Sequence, residues 1–297
     1  MEPKNSRSDD TDSPMMESRL VAPLGTADLD PKWLGRIAKK PWEYRVTAGI
    51  PHLNTPKPLR VCIDVLRDQT EPPYIIVVDT GSSASVRAEL ESFRDEDVEI
   101  HYLAGHAYRH PSEPITTALD LIQARCQTTY LYQTHADCFL RRREFLEELC
   151  AQVDENTPAI GYRMSPRDWA TADWEWMIGH TASLFHHPTL QSKGITWSFY
   201  RMNSQFGVDY RDLGGWPDTE TGFNLLLREA GITPKFIGDD RNFERQTDEN
   251  IDHVRNYTGS SLYSWGYHQE CSAWMIEAIA DAQGRLRRCD GNNSRNL

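Results

Sequence analysis

Between residues 45 and 153, runs of β-branched and aromatic residues alternate with stretches whose apolar residues recur at helical spacing, which limits what the chain can fold into. Residues 45–50 (ending at Pro51), 74–78, 98–103 and 128–133 read as strands, and 59–67, 86–93, 115–126 and 142–153 as helices. Such an order predicts an α/β fold: a mostly parallel sheet with right-handed crossovers and helices on both faces. At 297 residues the chain is long enough to bury a sizeable core. Beyond residue 153 the pattern loosens. Residues 159–163, 182–186 and 235–238 read as strands, and 223–230 as a helix stopped by Gly231. No Gly-x-Gly-x-x-Gly opens any helix, so the usual dinucleotide fold has no support.

The ends differ from this middle. Residues 1–28 are rich in Ser, Asp and Pro and read as a flexible tail, with Trp33 and Trp42 marking where the chain docks. Residues 256–297 form a helical appendage and a loose tail. Cys271, Trp274, Met275, Ala278 and Ile279 make an apolar stripe there, for packing on the main domain or on a second copy in a homo-oligomer. A formal charge of −12 disfavours nucleic acid and anionic lipid surfaces as partners, though one metal ion reverses the sign of a site locally. No stretch is long and apolar enough to span a membrane and the start is no signal peptide, so the expectation is a soluble, cytoplasmic protein. Six cysteines without a Cys-x-x-Cys pair exclude zinc-ribbon and thioredoxin chemistry.

Four segments carry candidate chemistry. The run Tyr74-Ile75-Ile76-Val77-Val78 ends on Asp79-Thr80-Gly81-Ser82. Ligands of open α/β sheets bind at that end of a strand, where a carboxylate accepts hydrogen bonds and a glycine admits close backbone approach. An ordinary helix cap by Asp79 or Ser82 explains the same residues. After the 128–133 strand comes Thr134-His135-Ala136-Asp137. Its imidazole and carboxylate, one residue apart in extended backbone, point to one side and suit a divalent cation such as manganese. The third segment, Gly214-Gly215-Trp216-Pro217-Asp218-Thr219-Glu220, precedes a helix. Asp218 and Glu220 there either complement the helix dipole or supply a general base toward an acceptor hydroxyl. The fourth is Asp252-His253, in a charged stretch where a histidine is ordinarily solvated.

In this order the segments resemble a GT-A glycosyltransferase of the large inverting family that uses nucleotide-diphosphate sugars. The stretch Val46-Thr47-Ala48-Gly49-Ile50-Pro51-His52-Leu53-Asn54 is similar to the family's opening strand, and Gln69-Thr70 followed by Asp79 to its next two motifs, with Thr80 replacing a second Asp. His135-Ala136-Asp137 falls where the family has Asp-x-Asp, about the right distance after the helix containing Asp120, and His135 replaces the first acid. Glu220 matches the final acid of the Glu-Asp motif, and His253 the late metal-site histidine of some GT-A enzymes. The likeness covers about residues 44–255.

The resemblance implies a catalytic domain over 29–255, with a nucleotide-binding half at 44–153 and an acceptor half at 154–255. It implies a UDP- or GDP-linked sugar donor contacted by Pro51, Asn54, Asp79, Gly81, Ser82 and Asp120. It further implies Mn2+ or Mg2+ on Asp137, His135 and His253, and Glu220 (with Asp218 beside it) as the catalytic base. Trp169, Trp174, Trp176 and Trp216 would face the acceptor. Two rivals stand beside it. One is a GT-A-like binding module without turnover, suggested by the altered Asp-x-Asp. The other is a metal-dependent hydrolase using His101, His106, His110 and His135, whose spacing fits no standard zinc pattern.

Overall fold

The alternation is realised in three dimensions. In the computed structural model the described residues are 40–103, 112–164, 174–197, 219–239, 245–254 and 268–293. The 1–28 tail, Trp33, His106, His110, Trp169, Trp216 and Asp218 lie outside them.

The first half of the chain runs β1 (Val46–His52), α1 (Pro56–Arg67), β2 (Tyr74–Asp79), α2 (Ala84–Leu90), β3 (Val98–Tyr102), α3 (Ser112–Arg125) and β4 (Tyr130–Gln133). These four strands pair in parallel in the order β3-β2-β1-β4. All six residues of β2 are buried, the pattern of a strand covered on both faces. β1 continues through Pro51 instead of ending there, and the register explains why this is tolerated. Gly49 offers its carbonyl to Thr134 on the β4 side, so Pro51, two residues on, faces that same side beyond the last β4 partner. Its missing N–H therefore breaks no ladder bond. Gly49 itself is fixed by packing: a Cβ there would lie 2.3 Å from Ile122 of α3.

The second half adds β5 (Cys138–Leu140), α4 (Phe145–Cys150), β6 (Ala159–Met164), β7 (Met177–Ile178), β8 (Ser183–His186), α5 (His187–Ser192), α6 (Thr221–Glu229), β9 (Lys235–Asp239), β10 (Gln246–Thr247), β11 (Ile251–His253) and α7 (His268–Asn293). β8, β6 and β7 extend the sheet antiparallel from β4, and β9 pairs parallel with β6. The mostly parallel sheet expected from sequence is therefore parallel on the β1 side and mixed beyond β4. β10, β11 and β5 form a separate three-stranded antiparallel sheet.

Two apolar layers sandwich the main sheet. Leu59, Ile63 and Leu66 of α1 pack one face with Met275, Ala278 and Ala282 of α7, and Leu119, Ile122, Phe223 and Leu227 of α3 and α6 pack the other. Each fully buried Leu, Ile or Phe side chain among them contributes about 1.5–3 kcal/mol. α7 docks against α1, so the C-terminal stripe buries Met275 and Ala278 on the domain itself, while Ile276 faces outward at 70% exposure. The helix expected over 142–153 is shorter, Phe145–Cys150. Its would-be first turn is diverted: Arg141 donates its N–H to Asn250 and Arg143 accepts from Thr70. Cys62, Cys126, Cys138 and Cys150 are free and buried, and burial pushes the Cys150 thiol up to about 12. No helix among the described residues is long and apolar enough to cross a membrane.

Candidate active site

At the carboxyl ends of β1 and β2, two turns are laced together. The Asn54 N–H donates to Ser82 Oγ at 2.7 Å, and the Ser83 N–H donates to Asn54 Oδ1 at 2.9 Å. Thr80 donates both its N–H and its hydroxyl to the His52 carbonyl. Gly81 has φ +135°, a conformation glycine adopts without strain, and Asn54 has φ 52°. Asp79 organises this knot from beneath. Its fully buried carboxylate accepts from the N–H groups of Gly81 and Ser82 at 3.2 and 3.0 Å and from Arg87 Nε at 3.2 Å, with His52 Nδ1 3.6 Å away. Burial alone would raise the Asp79 pKa, but the His52 and Ser82 interactions outweigh it and hold the carboxyl below its ordinary value. Asp79 thus holds its own turn, and Pro51, Asn54, Gly81 and Ser82 share that sheet edge with it. Asp120, on α3, accepts from the Trp197 backbone N–H at 2.7 Å and joins that helix to the segment behind it.

The turn after β4 carries a different arrangement. β5 leaves Asp137 and pairs antiparallel with β11, and the register sets His253 opposite Cys138. The Val254 N–H donates to the Asp137 carbonyl at 3.0 Å, which fixes the two segments side by side. Cys62 of α1 reaches the His135 carbonyl at 3.6 Å. Ligand atoms of His135, Asp137 and His253 consequently lie within 4.8 Å of one another. Asp137 Oδ1 stands 3.8 Å from His135 Nδ1 and 3.6 Å from His253 Nε2. Asp137 Oδ1 and both ring nitrogens of His253 are buried without a hydrogen-bond partner among the described residues. Leaving such groups unmatched costs about 1–3 kcal/mol each, so a ligand is expected to satisfy them. Two imidazoles and a carboxylate form a donor set for a divalent cation, and the residues fit one.

The neighbouring Asp252 is anchored by a two-pronged Arg245 contact at 3.0 and 2.9 Å and by Thr247. Burial opposes ionisation there, but the Arg245 and Thr247 hydrogen bonds prevail and lower the Asp252 pKa. The charged stretch expected to be solvated is in fact buried at His253, with 2% exposure.

Against this cluster sits a pair of which the sequence singled out Glu220 but not His180. His180, between β7 and β8, places Nδ1 2.7 Å from Glu220 Oε1, and both side chains are buried. The His180 ring stacks on His135 with centroids 4.2 Å apart and planes 20° apart. Glu220 precedes α6, whose Asn224 clamps β7 through Ile178 N–H and C=O, both at 2.8 Å. The only signal for His180 in the sequence is a polar Gly-His-Thr break between two short apolar runs.

Other expected site residues lie apart. Trp174 and Trp176 are half-buried and carry Arg228 over their rings at 4.9 and 5.4 Å. That is near the far end of α6, about 12 Å along the helix from Glu220. His101 lies on β3, three strand spacings or about 14 Å from β4. It pairs with buried Glu99, which also accepts from Tyr74 Oη at 3.0 Å. The sheet order therefore separates His101 from His135.

The family model described as Glycosyl transferase family 2 matches residues 47–230. Among solved structures, the galactosyltransferase LgtC in complex with donor and acceptor sugar analogues is 13% identical, with a TM-score of 0.51 over 81% of this chain and 96% of that one. TarS 1–349 from S. aureus is 15% identical, covering 52% of this chain and 50% of that one, with a TM-score of 0.38. The mannosyltransferase PcManGT from Pyrobaculum calidifontis, in complex with GDP-Man and Mn2+, is 19% identical over 70% and 60%, with a TM-score of 0.41. The chain spans about half the length of the TarS 1–349 structures it matches. No curated protein sequence matches it significantly. The likeness to LgtC is one of fold.

Proposed function

The chain belongs to glycosyl transferase family 2 and has a GT-A fold, and from that premise we propose that it moves a sugar from a nucleotide-diphosphate sugar to an acceptor hydroxyl, with inversion. The observation that carries this reading is the buried His135–Asp137–His253 cluster beside the His180–Glu220 pair. It combines a cation-binding donor set with a positioned carboxylate. A Mn2+ or Mg2+ ion held by those three residues would supply Lewis-acid neutralisation of the diphosphate leaving group.

The chain's own residues do the rest. The nucleotide lies against the laced turns of Pro51–Asn54 and Gly81–Ser82, whose shape Asp79 maintains from below. His180 Nδ1–H donates to Glu220 and aims its carboxylate. Glu220 takes the proton of the acceptor hydroxyl. The acceptor oxygen bonds to the anomeric carbon from the face opposite the diphosphate, and the bond from that carbon to the diphosphate oxygen breaks.

Thermal unfolding with UDP or GDP, each with and without Mn2+, tests donor binding. A ligand at a hundred times its Kd adds about 2.7 kcal/mol of stability. One nucleotide is expected to raise the Tm only when Mn2+ is present, and no shift with either would sink the donor assignment. Glu220→Gln should keep that shift and lose transfer. Unchanged turnover in the variant removes Glu220 from the mechanism. Binding without turnover in the wild type would instead favour the module reading, which His135 in place of an acid motivates.

A further inference from the structure

Away from this site, positive charge gathers in one cleft. Arg141, Arg142, Arg143, Arg285 and Arg288 line one cleft of about 280 Å³, and a single carboxylate, Asp68, faces them. The cleft is bounded by the carboxyl end of α1, the segment after β5, and α7. Its neighbours neutralise only part of it. Arg143 Nε lies 3.3 Å from Asp68, Arg142 pairs with Glu148, and Arg285 pairs with Asp281. Arg141 spends Nη1 on the Asp248 carbonyl at 2.9 Å and has no carboxylate within salt-bridge distance among the described residues. Arg288 has no ion pair among them either. Burial and the nearby Arg141 guanidinium hold the Arg285 pKa below its ordinary value despite Asp281. Burial is the larger of the two causes, and the neighbouring guanidinium acts in the same direction.

In a chain of formal charge −12 this is a local inversion of sign. Guanidinium forks match the oxygens of phosphate two at a time. The volume corresponds to about nine waters at roughly 30 Å³ each. That is room for two or three phosphate groups on a small body. The cleft is also separate from the transfer site. β5 intervenes between Asp137 and Arg141, about 10 Å for its three residues, and α1 places its opposite end, about 18 Å away, beside the Asp79 turn.

We propose that this arginine cleft is a second ligand site, which binds an anion bearing several phosphate groups, either free in solution or as a lipid headgroup. The inference does not depend on the transfer reaction, and its test needs no turnover. Sodium triphosphate is titrated into the metal-free protein by calorimetry. In parallel, sedimentation is measured with phosphatidylcholine vesicles, plain or doped with phosphatidylinositol bisphosphate. Triphosphate is expected to bind, more tightly at low salt. Arg288→Glu, on the exposed side of α7, should weaken it about tenfold or more with an unchanged circular dichroism spectrum. Arg285→Gln should act in the same direction. Recruitment to doped vesicles only, reversed by triphosphate, assigns the lipid headgroup. Triphosphate binding without recruitment assigns a free anion. No binding in either arm, or equal binding by wild type and both variants, overturns the proposal.

Discussion

Asp79 ends β2 and Asp137 lies in the turn after β4, both in the parallel half of the sheet and both buried, yet the chain treats them in opposite ways. Asp79 accepts hydrogen bonds from its own turn and from Arg87, and its carboxyl is held below the ordinary range. Asp137 keeps Oδ1 without a hydrogen-bond partner among the described residues, between the imidazoles of His135 and His253, and the ring nitrogens of His253 lack one there too. The first arrangement is finished by folding. The second leaves buried polar atoms open to a ligand. Residue type and strand position alone do not separate a structural carboxylate from a ligand-seeking one, because the difference lies in which donors the tertiary fold delivers.

The sharpest way to test the contrast is Asp137→Ala. In the proposed reaction it should lower turnover on the order of a thousandfold, since several kcal/mol of charge stabilisation are lost. The metal-free variant should be as stable as wild type or more so, because a buried unmatched carboxylate is removed. A large drop in metal-free Tm would erase the distinction between the two acids. Asp79→Ala should do the reverse and lower unfolding free energy in urea by about 3 kcal/mol. That effect should also depend on pH. The folded pKa of Asp79 is depressed, so its contribution is present above the unfolded value of about 3.9 and fades as pH falls through the folded one. The Tm gap between wild type and Asp79→Ala is therefore expected to narrow in acid, and a constant gap would show that the charge is not what matters.

Much of the parallel half could be read from sequence because its strands are rich in β-branched and aromatic residues and its helices are amphipathic. The match of residues 74–78 with β2 rests on local pattern alone. β5, β7, β10 and β11 are two or three residues long, too short to carry a period, and their pairing is decided by what surrounds them. Yet the small sheet of β10, β11 and β5 is what carries His253 to Asp137. His253 entered the reading through family likeness, whereas its own stretch argued for solvent. His180 was missed for the same reason. Its role exists only once the loop between β7 and β8 is folded over Glu220. The helix forecast at 142–153 overran because periodicity does not reveal that the backbone of residues 141–143 is already committed to other segments.

The ring stack of His135 on His180 has a kinetic corollary. In the proposed reaction one ring helps hold the cation and the other steadies Glu220, so settling the first ring would constrain the second across a shared face. Donor and acceptor should then add in a fixed sequence, donor leading. Initial-rate patterns with a dead-end acceptor analogue read this directly: uncompetitive inhibition against the donor fits such an order, and competitive inhibition rules it out.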